Sequence, residues 1–506
     1  MESNEKQNGP MDDPKIVIIG AGIAGIAAGN KLSKEGFADF KIFEASDRIG
    51  GRIWSVVTDV YTDEEGNKAE MGANWIHGVE NNPIYEIANE NHLLQMRHKD
   101  KSLRSKDVFI GESGDVVGDR LVKEVDLIYG LLLTQCENFF ANNMQATDDD
   151  SVGQFLQRKF AEKVDRYANG ERHVRDLIFG HRKLLECCIS GCDTLDEVAL
   201  QDFGSYENLP GIHYTIPPGF DTILDILRKD IPKDNIVFNS PVRCINWDLG
   251  PESKYPVCVE LETGEKHYAN HVIVTVSLGV LKAACDRMFT PSLPTQKVQA
   301  INGLGYGIVD KVFLEFEEPI VGPDIFRLNI LWDEDEPHEA DLRHCWYRKI
   351  YSFEVVHERI LVGWLSGKEA LFMESLTEEQ IGEDCVEVLK KMLKKDIPPP
   401  VRVIRTRWGT NPLTRGSYSF IKVGSSQEDV TELSKPLKSK GQPKPSVLFG
   451  GEATHPRFYS TTHGALLTGY REANRIVKMY TTAECRQPDT DEDSDDNEDN
   501  GLKMSF

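Results

Sequence analysis

Apolar and polar positions change their period several times along the chain. Residues 16–19 are an unbroken run, Ile-Val-Ile-Ile. Gly20, Gly22 and Gly25 follow, then an Ala-rich segment of helical spacing and a second apolar run that closes on the acid Glu44. This order predicts strand, turn, helix and strand. The three glycines serve different ends. Gly20 permits the tight turn, Gly22 lets the backbone approach a pyrophosphate, and Gly25 lets the helix pack closely on the sheet. The first helical turn, which holds Ala24, offers free N–H groups and partial positive charge to phosphates. Glu44 stands where a carboxylate accepts hydrogen bonds from an adenosine ribose. The spacing therefore predicts a dinucleotide site.

From about residue 85 to residue 197 the spacing becomes helical, as in D-R-L-V-K-E-V-D-L-I-Y-G-L-L-L, and predicts a helical cap inserted between parts of the nucleotide domain. Residues 214–227 return to that domain with Gly219 ahead of an amphipathic helix, and residues 239–248 alternate as a strand. Residues 271–282 read as a buried parallel-type strand ending in a Ser-Leu-Gly turn. In residues 305–320 alternation puts Val312, Leu314 and Phe316 on one strand face and Lys311, Phe313 and Glu315 on the other. Strands rich in Trp, Tyr and Phe come next and predict a mixed sheet. Residues 378–395 form a helix with acids early and lysines late, as its dipole favours. Residues 447–473 rebuild a second strand, Gly450-Gly451 turn and helix. The fold class is α/β with more than one domain, since 506 residues exceed a single compact core.

Composition narrows the partners. The net charge is −24, and residues 489–499 are an acid run without a base. Nucleic acid is excluded as a ligand by the sign of this charge, whereas a cationic small molecule is attracted. No apolar run reaches the roughly 18 residues of a membrane helix, so no membrane association is expected. The first residues are polar and acidic, without the apolar core of a secretory signal or the arginines of a mitochondrial one. The ten cysteines show no C-x-x-C pair and no flanking His, so no metal site is expected and the thiols read as reduced. The chain ends Met504-Ser505-Phe506 and not in an S-K-L type address, and the expected location is cytoplasmic, with the nucleus open.

The run E-A-S-D-R-I-G-G-R after the second strand, with Gly50, Gly51 and Arg52, resembles the flavin amine oxidase family, in which a G-G-R segment holds FAD. Further matches cover nearly all of the chain: A-E-M-G-A-N-W-I-H-G, L-L-E-C-C-I-S-G, the D-K-V-F-L-E-F strand, R-W-G-T-N-P-L-T-R-G-S-Y-S, and V-L-F-G-G-E-A-T-H to Y-S-T-T-H-G-A. The resemblance implies an amine-oxidase-like architecture: an interrupted Rossmann-type FAD-binding domain and an α+β substrate domain of helical cap and mixed sheet. The expected boundaries are a disordered leader at 1–13, the FAD domain at 14–84, 214–290 and 440–482, the substrate domain at 85–213 and 291–439, and an acidic disordered tail at 483–506.

By the same resemblance FAD is bound non-covalently by Gly20, Gly22, Ala24, Gly25, Glu44 and Arg52, with Val242 gripping the adenine through its backbone. Gly72, Ala73, Asn74 and Trp75 pass beside the isoalloxazine, Trp408 packs against it, Glu452 binds the ribityl hydroxyls, and Thr461 and Thr462 present N–H groups to its O2/N1 edge. Donors there stabilise a reduced ring. Lys311 is implied as the catalytic lysine, reaching flavin N5 through a water with its pKa lowered by desolvation. His77 lies at the substrate entrance as a near-neutral imidazole, and Tyr418 forms one side of an aromatic slot. Glu186 is implied either to pair with a distal ammonium or to be a structural helix acid, and Thr461 also lines the substrate site.

The branch resembled is that of the polyamine oxidases acting on spermine and N1-acetylated polyamines. The implied reaction oxidises the carbon beside a secondary amine; the imine hydrolyses, and dioxygen is reduced to hydrogen peroxide. Spermine, giving spermidine and 3-aminopropanal, is the expected substrate. The acetylated polyamines stay open, as does a catalytically silent flavin-bound interaction protein. Monoamine oxidases, histone demethylases and amino-acid oxidases fit less well: a covalent-flavin cysteine, a long coiled-coil insertion and a cation for a substrate carboxylate are not found. Oligomeric state is open.

Overall fold

The computed structural model describes residues 13–57, 68–94, 106–146, 150–333 and 341–481. The expected leader up to residue 12 and the acidic tail lie outside the described residues.

Ile16–Ile19 is the central strand of a five-stranded sheet whose order is Val447–Phe449, His271–Val274, Ile16–Ile19, Phe40–Phe43 and Ile236–Val237, all pairings parallel. Its apolar run is unbroken because both faces are covered. Ile16 and Ile18 pack under the helix Ile23–Lys34, which lies against the last helix, Thr462–Thr481. Val17 and Ile19 meet a second layer, in which Val257–Leu261 pairs with Val242–Asn246 and Lys266–Ala269.

The second large sheet has seven strands, ordered Arg402–Arg405, Val309–Glu315, Ile360–Ser366, Ser352–His357, Ile325–Leu331, Lys106–Gly111 and Val116–Val117. Val309–Glu315 is buried along its whole length and carries two different surfaces. Val312 and Leu314, with Phe316 just beyond the strand, join a core with Trp346, Ile381 and Leu389. Phe313 on the opposite face packs with Ala69, Met71 and Trp408. The alternation read from residues 311–316 is thus realised.

Three helices, Asp119–Ala141, Val152–Val164 and Asn169–Ser190, enclose their own apolar cluster. Phe160 stacks on Phe179 within it at 3.9 Å between ring centroids and 3° between planes. No described helix is long and apolar enough to cross a membrane.

Two local readings need correction. The segment taken as helical cap also contains the strand Lys106–Gly111, which pairs parallel with Ile325–Leu331 and so belongs to the mixed sheet. Its apolar run, Val108 to Ile110, is too short for periodicity to separate it from the surrounding helices. Residues 271–282 are not one strand. The strand ends at Val274, and the Ser277 hydroxyl accepts the Val280 N–H and caps the helix Leu278–Met288.

Removing one ring of the stacked pair leaves a cavity inside the cap. Phe160→Ala should cost about 3–5 kcal/mol of stability, read as a lowered urea midpoint.

Candidate active site

The glycine-rich turn after Ile19 leaves Gly25 no room for a side chain: a Cβ there would stand 1.9 Å from the Gly20 carbonyl oxygen. Gly22 is the opposite case. A Cβ on it would meet no atom within 4 Å, although Gly22 bridges to Gly50 and lies against Gly51. Two bare turns thus form a cradle at the start of the helix Ile23–Lys34, whose N-cap has no side chain to satisfy the first N–H groups. Ala24 is buried in that first turn. The chemistry of this donor set fits a pyrophosphate. Glu44 sits at its rim. One carboxylate oxygen accepts the Ala21 N–H at 2.7 Å, the other the N–H and hydroxyl of Ser46 at 2.9 and 2.7 Å, and its backbone carbonyl accepts the Ser240 N–H. That last bond brings Val242, at the start of its strand, to the same rim.

Arg52 links this cradle to the far end of the chain. Its Nη1 donates to Glu452 Oε1 and to the Ser417 carbonyl, both at 2.8 Å. Glu452 also accepts the Ser419 hydroxyl at 2.6 Å and the Ser460 N–H at 2.9 Å. Burial disfavours the Arg52 charge, but Tyr306 and Glu452 outweigh it and hold the guanidinium above its usual value. The last helix begins at Thr462, where the Thr461 hydroxyl accepts the Gly464 N–H at 2.9 Å and donates to the Phe458 carbonyl.

Lys311 lies between these parts. It is 3% exposed, and Nζ donates to the carbonyls of Glu70 at 2.6 Å and Gly72 at 2.8 Å while lying 4.2 Å from the centre of the Trp364 ring. Burial pulls its pKa down to about 7, partly offset by Glu70 and Glu354. The Glu70 carboxyl is pushed up to about 7, chiefly by burial. The loop that accepts Lys311 is fixed by Gly72, where a Cβ would stand 1.8 Å from the Arg52 carbonyl oxygen. Ala73 donates to that same oxygen, and Asn74 and Trp75 follow half-buried. Trp408 is buried beside the loop, with its indole N–H directed at the Met71 carbonyl.

The expected substrate residues fall in two groups. Tyr418 gathers with Cys188, Val309, Tyr351, Trp364 and Leu185, and its hydroxyl donates to the Cys188 carbonyl. His77 packs edge to face on His213 at 5.2 Å. Burial first, and His213 second, lower its pKa to about 4, so its imidazole is neutral but a weaker base than expected. Glu186 lies two residues from Cys188 and is buried; its carboxylate accepts the Ser190 hydroxyl at 3.2 Å and approaches Glu137 of the facing helix.

Several residues of this region were not singled out from sequence: Glu70, Glu137, His213, Trp364 and His463. Glu70 was within reach, because it sits in the A-E-M-G run ahead of Gly72. Glu137 and Trp364 have no local signal, since each becomes notable only through a partner on another element. His463 carries a buried Nε2 without a hydrogen-bond partner, and its pKa is lowered to about 3 by burial and then by His77.

A cradle for pyrophosphate, a desolvated lysine and a cluster of aromatic rings define a flavin-dependent oxidase. Residues 23–477 match the family of flavin containing amine oxidoreductases, and the chain belongs to that family. It is 36% identical to the peroxisomal N1-acetyl-spermine/spermidine oxidase of Bos taurus, covering 95% of this chain and 98% of that protein. Identity to the Homo sapiens protein of the same name is 35% over the same shares. A solved structure of putrescine oxidase with putrescine superposes with a TM-score of 0.66 at 19% identity, covering 92% of this chain and 99% of that one. The chain is therefore an FAD-dependent amine oxidase of the polyamine oxidase branch. The expected cytoplasmic location is overturned, because both mammalian relatives are peroxisomal proteins.

The two glycines give a paired test. Gly25→Ala should fold poorly, losing about 1–3 kcal/mol to overpacking. Gly22→Ala should keep the stability of the cofactor-free protein within about 0.5 kcal/mol yet retain less FAD on gel filtration.

Proposed function

We propose that the chain oxidises spermine at the carbon beside a secondary amine, giving spermidine and 3-aminopropanal. FAD, when bound, supplies the two-electron oxidant and passes the electrons to dioxygen, the general acceptor of the family. In this reading Gly20, Gly22, Ala24, Gly25 and the Gly50–Arg52 turn hold its pyrophosphate. Glu44 and Val242 hold the adenosine end, Glu452 the ribityl chain, and Gly72, Ala73, Asn74, Trp75, Trp408, Thr461 and Thr462 surround the ring.

Burial pulls the Lys311 ammonium down and pushes the Glu70 carboxyl up, so the two come closer in basicity and a proton can reside on Nζ or leave it. The two loop carbonyls hold Nζ in place for that exchange. His77 serves as a neutral hydrogen-bonding group toward the substrate amine, not as its base, because its pKa is too low. Tyr418 contributes ring surface, since its hydroxyl is committed to Cys188. Thr461 lies at the start of the last helix, where its hydroxyl accepts the Gly464 N–H.

The observation that carries the spermine reading is the acid pair on the cap. Glu186 and Glu137 are near one another, and burial raises both, Glu186 to about 7. Among the described residues neither carboxylate is in an ion pair, and an ammonium at the far end of a polyamine supplies the missing charge. The names of the two mammalian relatives support a second reading, N1-acetylated polyamines.

A kcat/KM panel of spermine, N1-acetylspermine, N1-acetylspermidine and spermidine decides between them. Spermine should lead by about tenfold, or 1.4 kcal/mol; a lead for an acetylated substrate selects the second reading, and no turnover of any sinks both. Lys311→Met should bind FAD while kcat falls about 10²-fold or more; unchanged kinetics remove Lys311 from the mechanism. Because the reacting amine must be neutral and Lys311 titrates near 7, kcat/KM should climb steeply from pH 6 to pH 9. A flat profile contradicts this chemistry.

A further inference from the structure

Lys311 is preceded, on the other side of its strand, by a group that the reaction itself does not use. Asp310 is 0% exposed, and by strand alternation it points away from the lysine. Its Oδ1 accepts the Thr406 hydroxyl at 2.6 Å and the Trp408 backbone N–H at 3.2 Å. Thr406 in turn exchanges two bonds with the Lys311 backbone: its hydroxyl accepts the Lys311 N–H at 2.8 Å, and its N–H donates to the Lys311 carbonyl at 3.0 Å. Glu374, 3% exposed at the end of the helix Gly367–Met373, holds the next two residues of the same turn. Its oxygens accept the Gly409 N–H at 2.6 Å and the Thr410 N–H at 2.7 Å. The Trp408 carbonyl then accepts the Gly416 N–H and the Thr414 hydroxyl, which ties the turn to the segment carrying Tyr418.

The two carboxyl groups also face one another. Asp310 Oδ2 is buried and meets no donor, and the Asp310 carboxyl lies within hydrogen-bonding reach of Glu374. Two anions in contact in a dry interior repel strongly unless a cation or a proton stands between them. The cations nearby are otherwise directed. Lys311 Nζ reaches the Glu70 and Gly72 carbonyls on the opposite strand face. Arg405 faces Glu374 but is 3.6 Å from Glu378, and Arg407 acts on Arg405.

We propose that Asp310 is protonated in the folded enzyme and donates its Oδ2–H to the Glu374 carboxylate, so that the pair acts as positioning residues clamping the turn that carries Trp408 beside Lys311. Burial and the adjacent Glu374 charge both push the Asp310 carboxyl well above its usual range, in keeping with this assignment. The clamp sets where Trp408 and the lysine backbone stand with respect to the cofactor. It rests on the amine oxidase class and not on the choice of polyamine.

The sign of the pH effect follows from the raised carboxyl. The stabilisation is full below the unfolded carboxyl pKa and is lost as pH rises toward the folded value. Asp310→Asn supplies a permanent N–H donor in place of the proton, whereas Asp310→Ala supplies none. The melting temperature of the holoenzyme should therefore rise for Asp310→Asn relative to the parent as pH goes from 5 to 9. The same variant should keep kcat/KM within about threefold at pH 7, while Asp310→Ala loses about tenfold or more or does not fold. A melting-temperature difference that does not change with pH, or an Asn variant as impaired as the Ala variant, overturns the proposal. The thermal measurement needs no substrate, so failure of the polyamine reading leaves it intact.

Discussion

Arg52 and Glu452, 400 positions apart, form the contact on which the site depends. A buried ion pair gains little over an apolar pair unless its remaining donors and acceptors are also satisfied. Here the Ser417 carbonyl accepts a second bond from Arg52, and the Ser419 hydroxyl and the Ser460 N–H satisfy Glu452. Loss of either charge would strand the other in the interior at a cost of about 3–5 kcal/mol. The pair joins three segments that share no helix or sheet: the G-G-R turn, the strand that starts at Tyr418, and the start of the last helix. The pair thereby ties the phosphate cradle, the aromatic wall and the helix terminus to one another.

The strand Val309–Glu315 does a second kind of organising. Val312 and Leu314 face an apolar core, Asp310 meets polar groups on the same side, and Lys311 and Phe313 face the other way, so neighbouring positions live in different environments. Lys311 and Asp310 are both dry, and burial moves both toward their neutral forms. The lysine's shift makes its proton mobile at neutral pH, which is useful at an oxidative site. The aspartate's shift serves geometry, because a neutral acid can donate where an anion can only accept. One seven-residue strand thereby carries a chemical group and its support on opposite sides.

Much of this was legible in the chain. The three glycines, the β-branched strand and the closing Glu44 were readable because backbone sterics leave few residues able to fill such a turn. The strand faces around Lys311 followed from alternation alone. Other features were hidden because they arise between elements. Lys106–Gly111 enters the large sheet through a parallel partner more than 200 residues away, and no local period announces that. Glu137 has no local signal and gains meaning only from Glu186 nearby on another helix. Trp364 lay in an aromatic strand, and only the register opposite Lys311 gives it meaning. His77 was readable as a site residue, but not its weak basicity, which burial and His213 create.

The acidic composition acts differently at the surface and in the interior. A net charge of −24 draws polycations toward the protein, but salt screens such a field within about 8 Å. Discrimination among polyamines therefore has to come from groups that solvent does not reach. Glu186 is such a group: buried, bonded only to Ser190 among the described residues, and raised to about 7. On the proposed reading, burial eases this carboxyl toward its neutral form while no cation is present, and an arriving ammonium ionises it. The free energy of that ionisation couples to binding. A neutral acetamide at the same place would leave the carboxyl protonated and release none of it, so in the proposed spermine reading the raised acid would favour a charged end over a capped one more sharply than an exposed carboxylate would.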